Sequence, residues 1–324
     1  MMSSSVQKAY KFLVLEVLFL IAFGGAVRAM NAGLACPDWP LCFGDFIPDY
    51  HPQVYFEFIH RVLAGVVAIA VFVLNIKVIK HPQIKKSIKF LAWLSFAIII
   101  AQVIMGGLTV LLLLHAKVVT LHLALGTGLF ACLLWIYMGI SDKQEVGAAH
   151  RPEAGMKWFS YVMLALVYAQ LLLGGLVASH YAALVCTEFP LCHGQWFPTF
   201  SGVIGLQVIH RLGAYIVTVA ALGFALAVAR SRVHANARRW SVLLLGLILV
   251  QVGLGIANVL LKTPPLLTVL HLAVGTMILG ATLRVVYIFV TNSIPAANSK
   301  VHQVAKKGVP SGRPVAQDSS FQPG

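Results

Sequence analysis

Eight long apolar stretches restrict what this sequence can fold into more than any other feature. They lie at about 12–31, 56–76, 90–113, 118–140, 158–179, 204–229, 240–261 and 267–290. An apolar stretch of about 20 residues is long enough to cross the hydrocarbon core of a bilayer as an α-helix. Only 10% of the residues are charged, against about 25% in a typical soluble domain. The sequence therefore predicts an all-α integral membrane protein with eight transmembrane helices and membrane lipid around them.

The basic residues predict how these helices are oriented. Most of the 24 Lys and Arg residues precede the first stretch, lie in every second connection, or follow the last stretch. Cytoplasmic loops carry an excess of Lys and Arg, so we expect both termini on the cytoplasmic side of a bacterial-type plasma membrane. This topology also explains the net charge of +14, and we expect no nucleic-acid partner. Residues 291–324 are rich in Pro, Gly, Ser and Gln, which predicts a disordered cytoplasmic tail.

The sequence also contains an internal repeat of about half its length. A shift of 149 or 150 residues aligns three pairs of segments: PLC at 40–42 with 190–192, IHR at 59–61 with 209–211, and HLALGT at 122–127 with HLAVGT at 271–276. Each copy holds four apolar stretches, an even number, so both copies face the same way. We therefore expect two tandem four-helix bundles, 1–150 and 151–290, related by a pseudo-two-fold axis along the membrane normal.

Each copy places two histidines in its even-numbered stretches: His60 and His122, then His210 and His271. We expect all four in the first turns of their helices, at similar depth near the outer face. A lone membrane histidine is more often a packing residue, but two per copy at matching positions favour a ligand role, because polar groups in the bilayer are costly. Facing imidazoles hold a haem iron from both sides. Zinc or copper would need more ligands in one small site, and no such cluster accompanies either pair.

Arginines and glycines accompany these histidines. The arginines follow histidines directly in sequence, and the glycines lie on the odd-numbered apolar stretches. Arg61 and Arg211 each follow a histidine, where the guanidinium group either pairs with a haem propionate or reaches lipid headgroups. The odd-numbered stretches carry glycines that either admit a flat macrocycle or allow close helix packing. These glycines are Gly24, Gly25, Gly106, Gly107, Gly174, Gly175, Gly253 and Gly255.

Two cysteine pairs occupy equivalent positions in the first and third outer loops. Cys36 and Cys42 lie in CPDWPLC, and Cys186 and Cys192 lie in CTEFPLC. On the oxidising side of the membrane, two cysteines close in sequence favour a disulfide. A metal-binding thiol pair is the alternative, although this spacing is not a zinc motif. A redox-active role for the first pair stays open.

The two copies differ at positions that carry charge. Glu57 lies three residues before His60 on the same helix face, and its counterpart is Gln207. Arg28 has Ala178 as its counterpart. A buried carboxylate beside a haem site favours proton or cation chemistry, so the first copy is predicted to hold the reacting site. The alternative is an ion pair of Glu57 with Arg28 that only holds helices together.

At these positions the chain resembles the haem A synthase family of cytochrome oxidase assembly. The matching segments are GGAVRAMNAGLACPDWPLC at 24–42, EFIHR at 57–61, HLALGT at 122–127, IHR at 209–211 and HLAVGT at 271–276. EFIHR together with PDWP is specific, whereas the HLALGT segments alone are weak evidence. The resemblance covers the whole membrane region and leaves only the tail outside it.

The resemblance implies an oxidoreductase that converts the methyl group of haem O to the formyl group of haem A by successive hydroxylation. It implies a haem b cofactor, a haem O-supplying enzyme, an electron donor or acceptor, and a homo-oligomer. The expected site residues are Glu57 as the catalytic group, His60 and His122 for the substrate haem, His210 and His271 for haem b, and Arg28, Arg61 and Arg211 beside the haems.

Two other functions fit a membrane protein with two bis-histidine haem sites. One is a di-haem b-type cytochrome that transfers electrons from a quinol. The other is a haem exporter or chaperone that binds haem without redox chemistry. The carboxylate of Glu57 favours the enzyme, because a pure electron conduit has little need of it.

Overall fold

A computed structural model of the chain describes residues 2–141, 154–196, 198–231, 233 and 235–291. Eight helices in these ranges are long and apolar enough to cross a membrane, which confirms the predicted all-α membrane fold. They are α1 (Ser4–Ala29), α2 (Pro52–Lys80), α3 (Lys86–Leu111), α4 (Ala116–Ser141), α5 (Ala154–Ser179), α6 (Gly202–Arg230), α7 (Ala235–Leu260) and α8 (Pro265–Thr291). A short 3-10 helix covers Ala182–Leu184. The predicted disordered tail lies outside the described residues, except for Thr291.

The helices extend beyond the predicted apolar stretches chiefly at their basic ends. α1 begins at Ser4 rather than 12, α2 ends at Lys80 rather than 76, and α7 begins at Ala235 rather than 240. The apolar pattern marks only the part of a helix that suits hydrocarbon, whereas the backbone hydrogen bonds continue through the polar residues beyond it. A helix of 26 residues is about 39 Å long, which exceeds a hydrocarbon core of about 30 Å.

Four of the helices form the interior of the described bundle. α1 packs against α2, α4 and α8, and α5 packs against α4, α6 and α8, while α4 also touches α8. Half of the most apolar window of α4 is buried, against 17% for α3 and for α7. α4 and α8 are therefore central, and α2, α3, α6 and α7 lie at the periphery. All eight helices belong to one compact unit, and the division into domains at residue 150 stays a prediction.

The two halves of the chain repeat the same local geometry. Residues 30–51 join α1 to α2 and residues 180–201 join α5 to α6; we call these the first and second long connections. Each holds one isolated β-bridge, Cys42 with Asp45 and Cys192 with Gln195, and one cis proline, Pro40 and Pro190. Matching geometry is what an internal repeat predicts, and the pseudo-two-fold axis itself stays a prediction.

A buried polar network joins the first three helices. The hydroxyl of Tyr10 donates to the side-chain oxygen of Asn75 at 2.6 Å. The amide nitrogen of Asn75 lies 2.6 Å from the Ser95 hydroxyl and 3.1 Å from the Ala92 carbonyl oxygen, to which it donates. Polar groups inside a membrane bundle need such internal partners. The network therefore stabilises the packing of α1, α2 and α3 against one another.

Candidate haem-binding sites

The four histidines lie on the even-numbered helices, as predicted, but deeper than the first turn. His60 is the ninth residue of α2 and His210 the ninth of α6, since these helices begin at Pro52 and Gly202. At 1.5 Å per residue the histidine of each lies about 12 Å along its helix. The prediction of the first turn was wrong because each of these helices starts two or four residues before its predicted apolar stretch.

Within each half, the two histidines belong together. The helices that carry the two histidines of a half pack against the same two neighbours: α2 and α4 against α1 and α3, and α6 and α8 against α5 and α7. In His60, His122 and His271 the ring nitrogen Nδ1 is buried and has no hydrogen-bond partner among the described residues. Nε2 is not among the buried unpartnered atoms of any of the four rings. Each ring therefore turns Nδ1 toward protein and keeps Nε2 as the nitrogen for a ligand.

A glycine on the preceding odd-numbered helix gives each imidazole its space. The distance from an added Cβ to the histidine Cε1 would be 3.0 Å for Gly24 and His60, 3.4 Å for Gly106 and His122, 3.1 Å for Gly174 and His210, and 3.1 Å for Gly255 and His271. Three of these distances are tighter than ordinary van der Waals contact, so a larger residue would press on the ring. These glycines therefore serve close packing against the histidines, and their contact with a macrocycle stays a prediction.

Gln170 gives His210 a hydrogen-bond partner at Nδ1, which the other three histidines lack among the described residues. The amide of Gln170 donates to the carbonyl oxygen of His210 at 2.8 Å and lies 3.1 Å from Nδ1 of the same residue. The carbonyl oxygen of His271 also accepts a bond from an amide, that of Gln251 at 2.9 Å. The counterpart of Gln170 in the first half is Leu20, which has no polar group. Sequence reasoning missed Gln170. The available signal was an amide in an apolar helix, one turn before Gly174.

The residues present fit a haem iron held by two imidazoles. Among the described residues no group of three or more His, Cys, Asp or Glu side chains could hold a metal ion. A tetrahedral metal would need such a group, whereas a bis-histidine haem needs only two ring nitrogens. Nδ1 is enclosed by protein in three of the four rings, so Nε2 is the nitrogen that those rings can offer to the iron.

Glu57 is a buried carboxylate with partners on both oxygens. One oxygen accepts a hydrogen bond from the backbone N–H of Cys36 at 2.9 Å, and the other lies 2.5 Å from the guanidinium group of Arg61. The residue is 4% exposed, so its position is fixed. Gln207, its counterpart, donates only one bond of 3.3 Å to the carbonyl oxygen of Ala183, and its oxygen is unpartnered among the described residues.

Arg61 and Arg211 hold the long connections against the helices. Arg61 donates to the carbonyl oxygens of Asp38 at 2.9 Å and Leu41 at 2.7 Å. Arg211 donates to the carbonyl oxygens of Leu191 at 2.9 Å and Cys186 at 2.8 Å. The guanidinium groups thus bind backbone at equivalent places in the two halves. Their pairing with haem propionates stays a prediction.

Arg28 links the two halves of the chain. Its guanidinium group donates to the carbonyl oxygen of Ala178 at 2.7 Å and to the hydroxyl of Tyr181 at 3.1 Å, and lies 4.3 Å from the centre of the Tyr181 ring. The described residues pair Glu57 with Arg61 rather than with Arg28. The alternative of a Glu57–Arg28 ion pair is therefore wrong, and a role of Arg28 toward a haem stays a prediction.

Both predicted disulfides are present. Cys36 bonds to Cys42 and Cys186 bonds to Cys192, and all four residues are buried. Cys132 is a free thiol in α4. The first disulfide is adjacent to Glu57, because the backbone N–H of Cys36 is the donor to the carboxylate.

The first long connection also places an indole against α3. A Cβ at Gly107 would lie 3.0 Å from the ring of Trp39, so only glycine leaves room for it. Gly107 is next to Gly106, which contacts His122. In the second half the counterparts are Phe189 and Ile256, a smaller ring opposite a larger side chain. The first connection therefore packs its indole against the helix that also carries the glycine beside His122.

Comparison with known proteins adds to this geometry. The family described as Cytochrome oxidase assembly protein, COX15-CtaA, matches residues 10–283. The chain belongs to the COX15-CtaA family. The matched range contains all four histidines, both disulfides and Glu57, so the sites described above lie within the part that this family shares.

Several relatives of this COX15-CtaA chain carry the name Heme A synthase. The protein from Shewanella oneidensis is 31% identical over 295 residues, which cover 78% of this chain and 87% of the relative. The protein from Halalkalibacterium halodurans is 26% identical over 85% of this chain and 94% of its own length. The protein from Shouchella clausii is 30% identical over 63% of this chain and 70% of its own length.

Proposed function

We propose that this chain is a haem A synthase, a membrane oxidoreductase that converts the methyl group of haem O to a formyl group by successive hydroxylation. The observation that supports this most is the fixed carboxylate of Glu57, in the half that also holds His60 and His122. The name shared by the relatives favours this function over a quinol-oxidising cytochrome and over a haem exporter.

The two histidine pairs are proposed to have different tasks. His60 and His122 would hold haem O as substrate, and His210 and His271 would hold haem b. Haem b would supply one-electron redox chemistry when bound. The hydrogen bonds of Gln170 to His210 support this division, because outer-shell partners fix the orientation of a permanent ligand. A substrate ligand must instead bind and release.

Glu57 is proposed to act on the reacting carbon. Oxidation of a methyl group removes electrons and protons from the carbon, so positive charge develops there and protons must leave. A carboxylate that is already oriented stabilises such charge without reorganisation, or accepts a proton. Arg61 and the Cys36 N–H hold the carboxylate in one position, which gives the pre-organisation that this task requires.

The cellular setting is proposed from the charge bias and the chemistry. We place both termini in the cytoplasm and the haem sites toward the outer face of a bacterial-type plasma membrane. An enzyme that makes haem O would supply the substrate, and an electron donor or acceptor would exchange electrons with the second half. A homo-oligomer within the membrane is also part of this proposal.

The proposed function is tested by haem extraction. Membranes from a host that makes haem O but not haem A are compared with and without this chain, and the extracted haems are separated by chromatography. We expect haem A only when the chain is present. If haem O stays unchanged and the purified protein oxidises a quinol, it is the electron-transfer cytochrome. If haem O stays unchanged and appears outside the membrane, it is the exporter.

A further inference from the structure

Two consecutive glycines on α1 contact histidine-bearing turns of different halves. Gly24 lies against the ring of His60, in its own half. Gly25 faces α8, where a Cβ would lie only 2.7 Å from Cδ2 of Leu272. Leu272 directly follows His271 in the other half. One dipeptide therefore supports the first site with one residue and the second site with the next.

α5 repeats this arrangement in the opposite direction. Gly174 lies against the ring of His210, in its own half. A Cβ at Gly175 would lie 2.7 Å from Cδ2 of Leu123, which directly follows His122 in the first half. The two contacts cross between the halves, at the α1–α8 and α4–α5 packing surfaces.

The helix geometry explains why these leucines bear on the histidines. Successive residues of an α-helix point about 100° apart, so α8 presents His271 to Gly255 on α7 and Leu272 to Gly25 on α1. The two side chains share one turn of backbone. A side chain that pushes Leu272 away from α1 therefore changes the packing of the turn that holds His271.

We propose that the contacts of Gly25 with Leu272 and of Gly175 with Leu123 are positioning contacts, through which each half fixes a histidine of the other. The proposal rests on the proposed function, in which His210 and His271 hold haem b. Gly25 is then a residue of the first half that determines the geometry of the haem b site in the second half. It acts through Leu272 and does not itself contact His271.

The test adds one methyl group at residue 25 and measures the properties of the bound haem b rather than the activity of the enzyme. Gly25→Ala is made in the full-length protein, purified in detergent, and its haem b is followed by reduction potential, by electron paramagnetic resonance and by the rate of haem loss. We expect a shifted potential and altered resonance, with haem loss faster by up to about tenfold. Gly175→Ala should change the haem b much less, because Leu123 belongs to the other site.

Two further variants separate this effect from general damage to packing. Gly246→Ala in α7 is the matched control, because nothing lies within 4 Å of a Cβ added there, and its haem b should equal the wild type. Leu272→Ala combined with Gly25→Ala removes the side chain that the methyl group meets. The double variant should bring the resonance and the potential back toward the wild-type values.

The outcomes keep this inference apart from the proposed function. A Gly25→Ala haem b identical to that of Gly246→Ala would overturn the inference, as would a double variant with no recovery. If Gly25→Ala does not fold, Leu272→Ala alone leaves the space opposite Gly25 empty and should shift the haem b, and the methyl group that the double variant adds refills part of that space. No shift in Leu272→Ala would then overturn the inference. A haem b that survives His271→Ala would instead refute the site assignment on which the inference rests.

Discussion

At the scale of single residues, the contrast between Glu57 and Gln207 distinguishes the two halves most clearly. Both side chains are buried and occupy equivalent positions. The carboxylate has two strong partners, whereas the amide makes one long bond and keeps an unpartnered oxygen. A charge buried at such a position is costly unless its partners stabilise it. In the first half, Arg61 and the backbone N–H of Cys36 therefore stabilise the buried carboxylate.

We predict that Glu57→Gln lowers conversion of haem O strongly and preserves the fold. The amide oxygen can still accept from Cys36, so the first long connection stays in place, but the charge is lost. Conversion should fall by roughly 10²–10⁴, the contribution of a positioned acid–base group. Chromatography of haems from membranes with equal amounts of protein measures this, and haem O or a hydroxylated intermediate should accumulate.

Gln207→Ala is the control for that variant. It removes a buried amide at the equivalent position of the half that is proposed to do no chemistry, so haem A formation should stay near the wild-type level. Wild-type haem A formation from Glu57→Gln would show that the charge serves only to anchor the connection.

At the scale of elements, the first long connection is held more firmly than the second. Asp38 accepts hydrogen bonds from the backbone N–H groups of Phe43 at 2.7 Å and Gly44 at 2.8 Å. Its counterpart Glu188 accepts one bond of 3.4 Å from Gly194. The pKa of Asp38 is lower than its ordinary value of 3.8, chiefly because its carboxylate accepts the hydrogen bond from the backbone N–H of Gly44.

The lowered pKa predicts how this connection responds to pH. Because the pKa is depressed in the folded state, the contribution of the carboxylate is complete at neutral pH and is lost only as the pH falls through that depressed value. Between pH 5 and 7, the protection of the Phe43 and Gly44 amides should therefore stay constant. Their hydrogen-exchange rates should change with pH only as the rates of unprotected amides do. Asp38→Asn should speed exchange there, by less than about tenfold for one lost bond. Equal exchange in both proteins would contradict this role of Asp38.

The elements also show which features were predictable from the sequence. The helices, the cysteine pairs and the histidines follow from apolar length and from the repeat, both of which can be read directly from the sequence. The helix ends were not predictable, because backbone hydrogen bonding continues where the apolar pattern stops. Contacts such as Arg61 with Leu41, or Gly25 with Leu272, join distant segments, and periodicity carries no information about which segments meet.

At the scale of the whole molecule, the two halves share one interior. α1 and α5 each pack against both α4 and α8, and α4 touches α8. Arg28 adds a polar link between the halves. Each half therefore supports the other, although the residues around the two histidine pairs differ. The differences at Glu57, Arg28 and Gln170 are consistent with a reacting site in one half and a permanent cofactor in the other.

The central claim is that the two histidine pairs hold different haems, and four single alanine variants test it most directly. Each of His60, His122, His210 and His271 is replaced in the full-length protein, the absorption spectrum of the purified protein is recorded, and the haems of the membranes are separated by chromatography. His210→Ala and His271→Ala should lose the low-spin haem b spectrum. His60→Ala and His122→Ala should keep it and form no haem A. A full, unshifted haem b spectrum in both second-half variants would contradict the account.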